Sequence, residues 1–177
     1  ISHYDRINED IPGYTKIMTE KEFRKIMTLS AKYHVNPILA VTSPTSVRTG
    51  ATLHWRTSSA VPVYTFIFST GYTCSFPPED YGLTAYLNLL DQVAPGSPWF
   101  VSGFDADISF MIPRIVMEGG NVRVSSYNLP KNDSKMSNSQ LVEQASKIIV
   151  DSGGTVANVE DVRDELNPDE TKRMLKL

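Results

Sequence analysis

The sequence predicts an α/β protein built on a parallel sheet. Three observations support this: short apolar runs rich in β-branched and aromatic residues, segments with apolar residues at helical spacing, and regular alternation of the two. One helix is followed by four strand–helix units, an order typical of parallel sheets. Four strands form either a small open sheet or half of a (β/α)8 barrel, because a complete barrel needs about 250 residues and the chain has 177.

The first helix and the first strand are predicted from local signals. Thr19 lies at capping-box spacing from Glu22, so the helix is expected to begin there. Its apolar face is expected to contain Phe23, Ile26, Met27, Ser30, Ala31 and His34. The continuous apolar run at 37–41 then predicts a strand covered on both faces, and residues 46–60 predict a weaker helix.

The middle of the chain contains the clearest strand. Residues 63–68 are almost entirely β-branched or aromatic, which favours an extended conformation. After a loop at 69–78, two prolines and two acidic residues mark a helix start, and Pro95-Gly96 marks its end. We expect the buried face of this helix to contain Tyr81, Ala85, Leu89 and Leu90.

Two more strand–helix units complete the pattern. Strands are predicted at 99–104 and 121–124, with a short helix at 113–117 between them. Ser137 and Gln140 repeat the capping-box spacing at the start of the next helix, and a last helix is expected to follow Asn158.

The predicted organisation has three parts. They are an N-terminal extension (1–18), a half-barrel-like α/β domain (19–166) and a C-terminal helical tail (167–177). We expect the four strands to be parallel neighbours in chain order with the helices on one face. We expect the inner face to be filled by Phe66, Phe68, Val101 and Val124, which would leave no solvated catalytic pocket.

Composition excludes several classes of protein. The formal net charge is −3 and no basic cluster occurs, so we expect no nucleic-acid partner. No apolar run approaches the ~18 residues of a membrane span. The single cysteine, Cys74, excludes an internal disulfide framework and a multi-cysteine zinc site.

From residue 99 onwards the sequence carries a specific resemblance. The segments are WFVSGF (99–104), GGNVRV (119–124), SNSQLV (137–142) and TVANVEDVR (155–163). In this order they resemble the C-terminal half of the β-keto acid cleavage enzymes. The corresponding motifs of that family are W-x-V-A-G-I-G, G-G-H-V-R-V-G-x-E-D-N, S-N-A-x-L-V and V-A-T-P-x-E-A-R. The match extends more weakly back to the helix at Thr19.

The resemblance implies a fold and also a degenerate site. Family members are zinc-dependent (β/α)8 barrels that condense a β-keto acid with acetyl-CoA and cleave the product, and this chain looks like their last four strand–helix units. Counting from Gly119-Gly120, the family's zinc-ligand Glu is Tyr127 here and the adjacent catalytic-type Asp is Asn128. The His-x-His motif that supplies the other two zinc ligands is absent.

Two further positions depart from the family in the same direction. The family's anion-gripping Arg has no counterpart between 103 and 113, where Asp105 and Asp107 occur instead. Acidic residues on the family's fifth strand correspond to Ile38 and Ala40 here. We therefore predict no catalytic residue, no metal and no cofactor within this chain.

Three other candidate sites have simpler interpretations. Asp105, Asp107 and Glu118 match no calcium-loop spacing, so solvated loop carboxylates are favoured over a cation site. Gly103 and Gly119-Gly120 match no phosphate-loop pattern, so tight-turn glycines are favoured. Cys74 has no nearby histidine, so an inert cysteine is favoured over a thiol nucleophile.

The sequence thus favours a catalytically inactive relative that serves as an accessory subunit of a larger protein assembly. The alternatives are half of a split zinc-dependent cleavage enzyme and a standalone binding module. We expect a mitochondrial or otherwise intracellular soluble location, because mitochondrial complexes recruit former enzymes as accessory subunits. The opening residue Ile1 fits removal of a transit peptide and equally fits a partial sequence. We also expect protein partners, because a half barrel exposes two sheet edges.

Overall fold

A computed structural model describes residues 2–4, 7, 13–16, 18–57, 61–130 and 136–166. Its main sheet has four parallel strands in the order β3-β4-β5-β6. These strands are β3 (Ile38–Val41), β4 (Val63–Phe68), β5 (Trp99–Gly103) and β6 (Asn121–Arg123). The predicted parallel arrangement in chain order is confirmed. A separate antiparallel pair joins β1 (Ser2–Tyr4) to β2 (Tyr14–Lys16).

Helices alternate with the strands along the chain. They are α1 (Glu20–Tyr33), α2 (Pro44–Thr57), α3 (Asp80–Val93), α4 (Ile112–Met117), α5 (Asn138–Asp151) and α6 (Val159–Leu166). A short 3-10 helix, Ser109–Met111, leads into α4. The crossover helices α2, α3 and α4 contribute to one core against one face of the sheet, as predicted. We call this strand–helix assembly from α1 to α5 the half barrel.

Both predicted capping boxes are present. The Thr19 backbone N–H donates to Glu22 Oε2 at 2.8 Å, and the Glu22 N–H donates to Thr19 Oγ1 at 3.2 Å. Ser137 and Gln140 make the same reciprocal pair at the start of α5. These local bonds satisfy backbone donors that the first helical turn leaves without partners, which explains why the sequence located both helix starts correctly.

The core lies between the sheet and the helices. Phe66 of β4 stacks on Tyr86 of α3 with ring centroids 4.9 Å apart and an interplanar angle of 7°. The register places Phe66 opposite Val101 of β5, and both residues are fully buried in this cluster. The convex face of the sheet, which carries the helices, is therefore its well-packed side.

The prediction for the inner face was wrong. Phe66, Phe68 and Val101 face the helices rather than the concave side; Val124, one residue beyond β6, lines the wall of a concave groove. Side chains alternate between the two faces of a strand, so the concave positions are the intervening ones. A groove of about 460 Å³ lies on that side instead of a filled interior.

Three burial predictions also need correction. In α1, Met27 is buried as expected, but Ile26 is 45% exposed and His34 is exposed. Strand β3 is covered on one face only, because Ile38 is 72% exposed and Ala40 is also exposed, whereas Leu39 and Val41 are buried. In α3, Tyr81 and Ala85 are exposed. The residues buried in α3 are Gly82, Leu83, Tyr86 and Leu90.

The ends of the chain add one contact relevant to the site. The Ile7 N–H donates to the Gly71 carbonyl at 2.9 Å, which ties the N-terminal extension to the loop after β4. The predicted tail at 167–177 lies outside the described residues. Among the described helices, none is long and apolar enough to cross a membrane.

Candidate functional site

The candidate site lies where β5 and β6 end, the edge at which parallel barrels place their catalytic residues. Asn128 is buried there, and its Nδ2 donates to Ser102 Oγ at 2.8 Å. Its carbonyl accepts from the Ala106 N–H at 3.1 Å, and its own N–H donates to the Ser125 carbonyl at 2.9 Å. Asn128 thus joins the loop after β6 to the end of β5.

Tyr127 has a different environment. Its side chain is 82% exposed, and its backbone N–H donates to Ser125 Oγ at 3.2 Å. A neutral phenol is a poor replacement for a carboxylate as a zinc ligand. Within the described ranges, no group of three His, Cys, Asp or Glu residues could hold a metal ion.

A cavity of about 30 Å³ lies beside Asn128, between the ends of β5 and β6 and helix α5. It is lined in part by Gly103, Asp107, Arg123, Ser125, Asn128 and Gln144. This cavity has room for little more than ordered water.

The three acidic residues do not form one site. Asp107 accepts from the N–H and the hydroxyl of Ser109 at 2.8 and 2.9 Å, and so caps the 3-10 helix. Glu118 lies 3.5 Å from Arg114. Asp105 adopts a positive φ of 54° in the loop after β5, where its carbonyl accepts from Thr70 Oγ1 at 2.7 Å. The loop-carboxylate interpretation fits these contacts.

Arg114 is the first arginine after β5, but it serves the helix layer. Its guanidinium lies 3.3 Å from Asp80 Oδ1 and donates to Thr84 Oγ1 at 2.8 Å, both on α3. These contacts hold Arg114 on the convex side, away from Asn128. It therefore does not replace the family's anion-gripping residue.

Gly103 fills a steric role at the end of β5. A Cβ built there would lie 2.1 Å from the Ala106 carbonyl oxygen, a backbone atom of the same loop that Asn128 binds. This close approach supports the tight-turn interpretation over a phosphate loop.

Cys74 lies half-buried in the loop between β4 and α3. Burial raises the pKa of its thiol, so it stays protonated at neutral pH and is a weak nucleophile. We expect its alkylation by iodoacetamide at pH 7.5 to be several-fold slower than that of a free peptide thiol. Mass spectrometry of timed samples measures this rate, and alkylation faster than that of the peptide would reinstate a reactive cysteine.

Comparison with known protein families assigns the chain to one of them. The family model described as beta-keto acid cleavage enzyme matches residues 6–167. The chain belongs to the β-keto acid cleavage enzyme family. No curated protein matches the chain. The family assignment confirms the resemblance, and the parallel sheet with helices on one face agrees with half of the family's barrel.

Within this β-keto acid cleavage enzyme fold, Ser102 was missed by sequence reasoning. It lies in an apolar strand, is 1% exposed, and is the partner of the Asn128 side chain. A lone hydroxyl residue in an apolar strand is a usable signal, because buried polar groups need a hydrogen-bond partner.

We expect Asn128→Ala to lower the free energy of unfolding by about 1–3 kcal/mol, because a small cavity opens and Ser102 Oγ loses the donor Asn128 Nδ2, keeping only its 3.4 Å bond to the Gly103 carbonyl. Asn128→Asp should cost less, since the Ser102 hydroxyl can rotate and donate to the new carboxylate. Urea titration of both variants followed by circular dichroism measures the difference. Equal stability of wild type and Asn128→Ala would contradict the structural role of Asn128.

Proposed function

We propose that this chain is a catalytically inactive member of the β-keto acid cleavage enzymes that serves as a structural subunit of a larger protein assembly. The observation that carries the proposal is the environment of Asn128. At the position that corresponds to the family's catalytic-type Asp, the neutral amide of Asn128 is buried. Its side chain donates to Ser102, and its backbone bonds the neighbouring loops.

The chemistry of the remaining positions supports the same conclusion. An amide cannot accept a proton as a general base at neutral pH. Tyr127 offers a phenol where zinc needs a carboxylate, and Arg114 of α4 is engaged by Asp80 and Thr84. The positions of the zinc ligand, the general base and the anion-binding arginine therefore all differ from the family's residues.

The packing residues, in contrast, retain a well-formed layer. Phe66, Tyr86 and Val101 are fully buried between the sheet and the helices. A chain that keeps its core but not its chemistry suits a role in protein assembly. Such an assembly would cover the concave face, where Ile38 and Ala40 are exposed.

The second candidate is half of a split cleavage enzyme. It is favoured by the concave groove, which lies open along four strands as half of a barrel interior would. The presence of Tyr127 and Asn128 in place of a zinc-ligand Glu and a catalytic-type Asp argues against this candidate, because both residues belong to the half that is present.

The test is the metal content of this chain and of the double variant Tyr127→Glu, Asn128→Asp. We expect no stoichiometric zinc in either protein, because the restored carboxylate is at best one of the three ligands that the family uses. Elemental analysis after dialysis measures the ratio. About one zinc per wild-type chain, or cleavage of a β-keto acid in the presence of acetyl-CoA, would overturn the proposal.

A mitochondrial assembly is the location we propose for such a subunit. The proposal rests on the recruitment of former enzymes as accessory subunits of mitochondrial complexes. Cell fractionation with an antibody against the full chain tests this location, and a wholly cytosolic signal would contradict it without affecting the loss of chemistry.

A further inference from the structure

A groove lies on the convex side of the half barrel, between α3 and α4, and we call it the α3–α4 groove. Its volume is about 510 Å³. It is lined by Glu79, Asp80, Phe110, Met111, Pro113, Arg114 and Met117. The two helices are the inner pair of the helix layer, because α3 also packs on α2 and α4 also packs on α5. The groove is therefore formed by neighbouring helices and lies away from both edges of the sheet.

The groove stays open because α4 is short and a polar side chain spans the gap to α3. Helix α4 has six residues, whereas α3 has fourteen. The Arg114 guanidinium lies 3.3 Å from Asp80 Oδ1 and donates to Thr84 Oγ1 at 2.8 Å, both on α3. Glu118, one turn further along, lies 3.5 Å from the same guanidinium. The charge of Arg114 is thus already compensated within the chain.

An apolar stripe runs along the α4 side of the groove. Phe110, Pro113 and Met117 follow i, i+3, i+7 spacing through the 3-10 helix and α4, so they share one side. All three are exposed, Phe110 to 64% and Met117 to 77%. Ile112 and Ile115 of the same helix are fully buried, so other side chains of α4 already serve the core. A cluster of large apolar side chains on the surface indicates a site of protein–protein contact.

Carboxylates surround this stripe. Glu79 and Asp80 lie at the start of α3, and Glu118 lies at the end of α4. The Asp80 and Glu118 side chains are 74% and 39% exposed, and Glu79 forms no ion pair with the described residues. Arg114 is the single basic residue between 61 and 122, a stretch that contains six acidic residues. The groove therefore carries a negative charge and is complementary to a basic partner.

The backbone around the groove favours a helical partner. Its walls are helices, and the backbone groups inside a helix are bonded within that helix. An extended peptide would hold its own N–H and C=O groups over Phe110 and Met117 without partners, which costs free energy. A helix satisfies its own backbone and can direct side chains at i, i+3 and i+7 into a groove.

We propose that the α3–α4 groove binds a basic amphipathic helix of another protein. The partner helix places apolar side chains against Phe110 and Met117, and lysine or arginine side chains beside Glu79 and Glu118. This goes beyond the proposed function and does not depend on it, because the groove shares no residue with the cavity beside Asn128. A second copy of the chain is less favoured, since a two-fold contact would set one acidic groove against the other.

The experiment measures the binding of a labelled synthetic peptide to the full chain by fluorescence anisotropy. The probe is a helix-forming peptide of about five turns, with leucines at i, i+3, i+7 spacing and lysines on both flanks. The control peptide has glutamate in place of every lysine. We expect the lysine peptide to bind at least tenfold more tightly than the glutamate peptide. Equal binding of the two peptides, or no binding of the lysine peptide, would overturn the proposal.

Matched variants locate the binding surface. Met117→Lys should weaken binding of the lysine peptide at least tenfold and leave the urea midpoint of the chain unchanged, because Met117 is already exposed. Val150→Lys, at a position 59% exposed on α5, adds the same charge elsewhere and should bind like the wild type. Glu79→Lys should also weaken binding, whereas Glu143→Lys on the exposed side of α5 should not. Equal effects of the groove variants and their controls would reduce the binding to general charge attraction and overturn the proposal.

Two further measurements check the position and the identity of the occupant. Carbodiimide cross-linking followed by mass spectrometry should join lysines of the probe to Glu79, Asp80 or Glu118, and links mainly to other carboxylates would contradict the groove. Light scattering of the chain alone tests for a second copy. Self-association that Met117→Lys abolishes would assign the groove to a second copy and overturn the assignment to another protein.

Discussion

Replacing Tyr86 by alanine is expected to lower the free energy of unfolding by about 4 kcal/mol. The ring is fully buried and contacts three aromatic side chains: it stacks on Phe66 at 4.9 Å and meets Phe76 and Phe68 edge-on at 5.2 and 5.9 Å. Truncation removes all three contacts and opens a cavity between β4 and α3. Since typical domains are stable by about 5–15 kcal/mol, this loss would leave the fold marginal.

Tyr86→Phe is the matched control, and it separates the ring from the hydroxyl. The buried Tyr86 hydroxyl has no hydrogen-bond partner among the described residues, and burial raises its pKa. We therefore expect Tyr86→Phe to be neutral or to stabilise the chain by up to about 1 kcal/mol. Urea unfolding followed by circular dichroism measures both variants. A loss above 1 kcal/mol in Tyr86→Phe would mean that the hydroxyl is bound.

Gly103→Ala is expected to cost about 2–3 kcal/mol and to loosen the loop around Asn128. The new Cβ would meet the Ala106 carbonyl oxygen at 2.1 Å, and the same residue donates its N–H to the Asn128 carbonyl. Because the obstructing atom belongs to the backbone, no rotamer change relieves the contact. The loop must move, and the hydrogen bond from Asn128 to Ser102 moves with it.

Gly119→Ala provides the comparison for this steric effect. Gly119 has a φ of 76°, but no atom lies within 4 Å of a Cβ built there. Its cost is the left-handed backbone strain alone, about 1–2 kcal/mol. We expect hydrogen exchange of the Ala106 amide to accelerate in Gly103→Ala and to stay unchanged in Gly119→Ala. Protection of that amide in both variants would show that the loop accommodates the methyl group.

The order of elements from α1 onwards could be predicted because its signals are local, whereas the antiparallel pair β1–β2 was not predicted. Capping pairs such as Thr19 with Glu22 and the aromatic run of β4 identify helix starts and strands without reference to distant residues. The side of the sheet to which each strand residue points could not be predicted in the same way. Strand β4 is apolar at almost every position, so its sequence does not distinguish the helix side from the concave side, and Phe66 was assigned to the wrong one.

The burial of individual side chains depends on tertiary neighbours, which the pattern of apolar residues in the sequence does not reveal. Strand β3 is apolar throughout, which predicted cover on both faces, yet Ile38 faces the open groove. In α3 the buried stripe runs through Leu83, Tyr86 and Leu90, because the sheet meets the helix on that side. Both errors come from reading apolar residues as buried without knowing where the packing partners lie.

The candidate site was located through the glycine pair at 119–120, which sets the count to Tyr127 and Asn128. The contacts of Asn128, which lies in the loop after β6, could not be predicted, because its partner Ser102 lies 26 residues earlier, on β5. Only the parallel register of β5 and β6 brings the two together. The family was therefore accessible from sequence, whereas the contacts of Asn128 became apparent only in the fold.

The central claim is that this half barrel no longer supports zinc chemistry, and one measurement tests it most directly. The chain is reconstituted with an N-terminal family segment that supplies the His-x-His pair, and zinc per complex is measured by elemental analysis beside a β-keto acid cleavage assay. We predict less than about 0.1 zinc per complex and no cleavage for the wild-type chain, because Tyr127 cannot complete the three-ligand set. One zinc per wild-type complex with acetyl-CoA-dependent cleavage would contradict the account.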